Sequence, residues 1–144
     1  MKYINKGDLL TLIQEPLLNS SIMGEDRQPD EGILDTIEAT AIDLAKGYLI
    51  GSYQVDKIFD ADPVLRNGVL VQVISMIVIY RAVRRNAARK VPEDFTTYYE
   101  EAVKILERIQ SKALALQGMP EVTAPDGSVA ELMYGNNTNP DFFI

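Results

Sequence analysis

The most apolar window of the chain is twelve residues long, Val69 to Tyr80, and is bounded by Arg66 and Arg81. A helix needs about 20 apolar residues to cross a bilayer, so this window is too short for that role. Many of its residues are Val and Ile, which also suit a buried strand. Twelve residues without a turn signal are too many for one typical strand, and length decides for a helix. A helix that is apolar nearly all round must be surrounded by partners. The rest of the chain therefore has to supply helices that sheathe it.

Two segments carry the required stripe. Ile33, Leu34, Ile37, Ala41, Leu44, Ala45, Tyr48 and Leu49 fall on one helical face, with Asp30 placed as N-cap and Gly51 as a stop. Phe95, Tyr98, Tyr99, Ala102, Ile105, Leu106, Ile109, Ala113 and Leu116 make the second stripe. It opens at Pro92 with Glu93 and Asp94 in the first turn and closes at Gly118 and Pro120. The central helix is expected to start at Asp62, as N-cap, with Pro63 at the first helical position. Helices are thus predicted near 30–52, 62–88 and 92–116, with a connector over 53–61. Asn5 to Met23 reads as one or two short helices around Pro16, followed by an acidic turn at 24–32. Residues 119–144 hold a Pro-Asp-Gly turn at 125–127 and a Gly-Asn-Asn-Thr-Asn-Pro stretch at 135–140, which reads as an extended arm. The predicted fold class is all-α: a three-helix body with short N-terminal helices over residues 1–118, and an extended C-terminal arm over 119–144.

Composition limits the chemistry. The 144 residues, 47% hydrophobic and 24% charged, suit one globular domain. There is no Cys, which excludes a disulfide scaffold, a zinc-thiolate site and a Cys nucleophile. There is no His, which removes the commonest general base, the Ser-His-Asp triad and imidazole metal ligands. The formal charge is −7, against bulk attraction to nucleic acid or anionic membrane. That charge is uneven. All 14 basic residues precede position 117, so the four acids of the arm (Glu121, Asp126, Glu131, Asp141) stand alone. The first thirteen residues meet Lys6 and Asp8 before any apolar run, which is not a signal peptide. The expectation is a protein made inside the cell.

The candidate sites are few. Asp26 to Gly32 invites comparison with a calcium loop, but position 6 of that loop needs Gly and here holds Glu31. A solvated turn is the stronger reading. Asp60 and Asp62 could act as an acid–base pair or hold a cation, yet Asp62 is already assigned as a cap and Asp60 lies in a polar connector. No Ser-x-x-Lys, Gly-x-Ser-x-Gly or phosphate-loop pattern occurs. Neither an enzyme nor any metal or cofactor site is expected. Arg81, Arg84, Arg85, Arg89 and Lys90 form a basic run without an intervening acid. It complements the negative end of the helix dipole, and it also presents paired donors suited to DNA phosphates or to a neighbour's acids. Dipole complementarity alone would place bases there. The arm carries Met133, Tyr134, Phe142, Phe143 and Ile144, large apolar groups with too few neighbours in sequence to bury them. They read as docking residues.

The order of elements resembles the head–tail connector (adaptor, or head-completion) proteins of tailed bacteriophages, in their Mu-type branch. The resemblance rests on the acidic turn Asp26–Gly32, on Tyr48-Leu49 followed by Tyr53, and on Pro63-Val64-Leu65 leading into the apolar helix. It also rests on Tyr99-Glu100-Glu101-Ala102-Val103 with Leu106 and Ile109. These are packing patterns covering about residues 1–116. Ser52 stands where the family usually has Arg, and Asp56 where it has Pro. The resemblance implies a virion protein assembled in the host cytoplasm, forming a ring, often of twelve subunits, beneath the portal protein. Such a ring extends the DNA channel, receives tail or other neck proteins, touches packaged DNA non-specifically and has no membrane role. Its arm would reach the portal or a neighbouring subunit. A small helical regulatory module binding a protein or DNA is the alternative from another class.

Overall fold

The computed structural model describes residues 1–86 and 91–122. Among them are six helices: α1 (Lys6–Leu10), α2 (Glu15–Ser21), α3 (Glu31–Leu49), α4 (Val55–Phe59), α5 (Gly68–Asn86) and α6 (Glu93–Gln110). The protein is all-α, and its only extended pairings among the described residues are two isolated bridges.

The central apolar helix is α5, packed against α6, α3, α2 and α1. Residues 73–79 are buried without a break, as a helix with neighbours around most of its circumference requires. Tyr80 of α5 meets Tyr99 of α6 with ring centroids 4.6 Å apart. In α3 the buried face is Leu34, Glu38, Ala41, Ile42, Ala45 and Leu49, and Asp30 caps it by accepting from the Gly32 amide at 2.9 Å. Pro16 opens α2 rather than breaking a longer helix.

The structure differs from the sequence reading at the start of the central helix, in the connector and at the end of α6. The central helix begins at Gly68, not Asp62, so Pro63 is not its first residue. The cap is Asn67, whose side-chain oxygen accepts from the Val69 and Leu70 amides at 3.0 and 3.2 Å. Residues 61–66 stay outside the helix because tertiary bonds hold them. The Leu65 amide donates to the Ile58 carbonyl, and the Leu65 carbonyl accepts from the Tyr3 hydroxyl at 2.8 Å. The expected connector contains α4, which buries Val55, Ile58 and Phe59. Finally, α6 ends at Gln110 rather than 116. Lys112 turns left-handed (φ 66°), and the Ile109 and Arg108 carbonyls then accept from Lys112 and Leu114.

Among the described residues, one buried side-chain polar atom has no partner. The Ser75 hydroxyl, 1% exposed at the middle of α5, makes no hydrogen bond with any described residue. Burying an unmatched hydroxyl is costly, so Ser75→Ala is expected to leave stability unchanged or raise it by up to ~1 kcal/mol. Chemical denaturation checks this. A loss of more than that would mean the hydroxyl has a partner.

Candidate interaction surfaces

The described part of the predicted basic run lies in the last turns of α5. Of the run's five members, Arg81, Arg84 and Arg85 are described, while Arg89 and Lys90 lie outside the described residues. The three do different things. Arg85 donates to the carbonyls of Ser21 and Met23, both at 3.1 Å, and so satisfies acceptors where α2 ends. Arg81 donates to the Thr40 hydroxyl at 2.8 Å and ties α5 to α3. Arg84 is exposed and makes no hydrogen bond or ion pair with a described residue. Two of three arginines therefore serve the body, and Arg84 is presented outward.

The docking residues expected on the arm, Met133, Tyr134, Phe142, Phe143 and Ile144, also lie outside the described residues. What the structure does describe is the arm's root. Residues 111–122 form a strap over the end of α6. The Leu116 amide donates to the Tyr53 hydroxyl at 2.7 Å, and Leu116 is buried. Gln54 and Val122 amides donate to the Pro120 and Ser52 carbonyls, making an antiparallel step, and the Gln54 side chain donates to the Glu121 carbonyl at 2.6 Å. Residues 119–122 are thus fastened to the body. Beside these residues is a cleft of about 620 Å³, with Ser52, Tyr53, Ile109, Lys112, Leu116 and Glu121 among its lining.

A further surface was not legible in the sequence. The first residues are laced to the body by ions. The Met1 ammonium meets Asp35 at 2.7 Å, and Asp60 lies between Lys2 (2.7 Å) and Lys46 (2.9 Å). Hydrogen bonds from those two ammonium groups hold the Asp60 carboxyl far below its usual range. Arg66 forms a two-pronged pair with Asp8 at 3.0 and 3.1 Å, and its hydrogen bonds lower the Asp8 pKa. Asp60 is therefore a tether and not half of an acid–base pair. Asp62 neither caps α5 nor joins Asp60. In the acidic turn, Asp26 accepts from the Gln28 amide and Asp30 is the α3 cap, so both carboxylates serve the backbone.

These features define a class: a helical body built around one enclosed helix, with an arm rooted at a fixed point and a cation offered at one end. The chain belongs to the bacteriophage Mu Gp36 family, whose model matches residues 3–132. It is a phage protein of Mu type, and the match takes in the body and the first part of the arm. No curated protein matches the chain. No helix among the described residues is long and apolar enough to cross a membrane.

Proposed function

We propose that this phage protein is a head–tail connector (adaptor) subunit. It is a structural, non-enzymatic virion protein that rings the DNA channel beneath the portal and receives tail or neck proteins. The observation that carries the reading is the rooted arm. The body closes its own core, while an acidic, aromatic segment starts from a point pinned by Ser52, Tyr53 and Gln54. Ordering each arm residue costs about 1–2 kcal/mol in backbone entropy, so only an extended partner surface would hold it. A portal or a neighbouring ring subunit offers such a surface, and extended segments commonly bind along sheet edges or grooves. Arg84 would then face channel DNA or a neighbour's acids. The alternative, a regulatory module using the whole basic run on DNA, is weakened because Arg81 and Arg85 are engaged within the chain.

The test is assembly with the phage's portal protein, followed by mass photometry. Full-length protein is expected to join the portal as a ring. Protein lacking residues 123–144 should stay helical and soluble and fail to join. Normal joining by the shortened chain, or a full chain that ignores the portal, would overturn the reading.

A further inference from the structure

The chain's one Asn-Gly pair, Asn67-Gly68, stands at the start of its central helix. The side-chain amide of an asparagine is open to attack by the backbone nitrogen of the next residue. Glycine permits the approach most readily, because it has no Cβ to obstruct it. Gly68 is exposed and Asn67 half-buried, so water reaches the pair. The same asparagine joins separate parts of the fold. Its side-chain oxygen accepts from the Val69 and Leu70 amides at 3.0 and 3.2 Å, and its carbonyl accepts from the Val71 amide at 2.8 Å. Its backbone amide donates to the Tyr3 hydroxyl at 3.0 Å, and its side-chain nitrogen donates to the Gln117 carbonyl at 3.4 Å.

We propose that Asn67 is a deamidation site whose reaction is restrained by the first turn of α5 and proceeds when that turn opens. In the reaction the Gly68 nitrogen bonds to Asn67 Cγ, and the side-chain nitrogen leaves as ammonia, taking the proton that Gly68 gives up. Water then opens the resulting succinimide on either side. Opening at Cγ leaves aspartate. Opening at the backbone carbonyl leaves isoaspartate, in which the chain runs through Cβ and Cγ. To close the ring, the 67–68 peptide must rotate and Cγ must turn toward the Gly68 nitrogen. The rotation takes the Asn67 carbonyl away from Val71, and the turn of Cγ takes the side-chain oxygen away from Val69 and Leu70. The folded cap therefore opposes the chemistry. Helix ends open at a lower free energy than the core, so the site is slowed and not closed. The two products differ in effect. Aspartate is itself a preferred N-cap and is favoured at the positive end of the helix dipole. Isoaspartate inserts an extra backbone carbon ahead of Gly68, which shifts α5 out of register with the Tyr3 and Gln117 contacts that meet at this residue.

The test incubates the full chain at mildly alkaline pH, both folded and in denaturing urea. Peptide mass mapping follows residue 67, with fragmentation that separates aspartate from isoaspartate. Conversion is expected in both samples and should be about tenfold or more faster in urea, where no cap restrains the pair. Gly68→Ala supplies a variant that keeps the fold, because its new Cβ meets nothing within 4 Å and alanine suits a helix. It should slow conversion about tenfold in urea by obstructing the attack. Hydrogen exchange then reads the products. The isoaspartate fraction should lose protection at the Leu70 and Val71 amides, whereas Asn67→Asp should keep it. No conversion of Asn67 in urea, equal rates in the two samples, or a Gly68→Ala chain that converts at the parent rate would each overturn the proposal. Parent-like protection of Leu70 and Val71 in the isoaspartate fraction would overturn it as well.

Discussion

Ile77→Asp is expected to abolish folding. Ile77 is fully buried at the middle of α5, within the unbroken buried run 73–79. Removing the isoleucine forfeits about 1.5–3 kcal/mol of burial. The incoming carboxylate has no buried cation to pair with, because the buried polar or charged residues among those described are Ser21, Glu38 and Ser75. An unpaired buried charge adds several kcal/mol, and a domain of this kind has only about 5–15 kcal/mol in total. Ile77→Val, by contrast, should cost only about 0.5–1.5 kcal/mol. Circular dichroism and gel filtration decide. A soluble, helical Ile77→Asp protein would mean that α5 is not enclosed as described.

Why α5 was readable follows from the same fact. The helix is apolar nearly all round, so the reading needs no knowledge of which helix lies where. Its start was not readable for the opposite reason. Asp62-Pro63 is a strong local cap signal, but Leu65 is bonded to Ile58 and Tyr3, and Arg66 to Asp8. Those contacts span up to 62 positions, and no window along the chain contains them. Tertiary bonds overrode the propensity, and Asn67 took the cap. The short α4 has five residues, too few to display a period. Among site residues, the position of the Arg run at the end of α5 was legible, and the division of labour within it was not. Arg85 is engaged by carbonyls at and just beyond the end of α2, more than 60 positions away in sequence. The strap is similar: Leu116 was read correctly as facing the body, but as part of a helix, because its burial is reached through a left-handed turn at Lys112. Glu38 did leave a trace. An acid at i+4 from Leu34 and i−3 from Ala41 stands in core register, and such a residue must find donors.

Glu38→Ala is expected to be the most damaging truncation of a polar side chain in the protein. The carboxylate is 1% exposed and collects three backbone amides from the first residues. One oxygen accepts from Tyr3 and Ile4, both at 2.8 Å, and the other from Lys2 at 2.6 Å. Hydrogen bonds to a charged acceptor contribute roughly 1.5–3 kcal/mol each, and buried amides left bare carry their own penalty. The consequence extends beyond residues 2–4. Tyr3 packs on Phe59 with centroids 4.9 Å apart, and its hydroxyl donates to the Leu65 carbonyl and accepts from the Asn67 amide at 3.0 Å. Asn67 in turn caps α5. Glu38 thus holds the segment that positions the start of the central helix. Glu38→Ala should cost about 3–5 kcal/mol. Glu38→Gln keeps one acceptor oxygen but turns an amide group toward the Lys2 N–H, and should cost about 1–3 kcal/mol. Denaturant titration gives both values, and hydrogen exchange should show the Tyr3 and Ile4 amides losing protection before those of α5. A Glu38→Ala protein within about 1 kcal/mol of the parent, with both amides still protected, would show that the first residues are held by their packing alone.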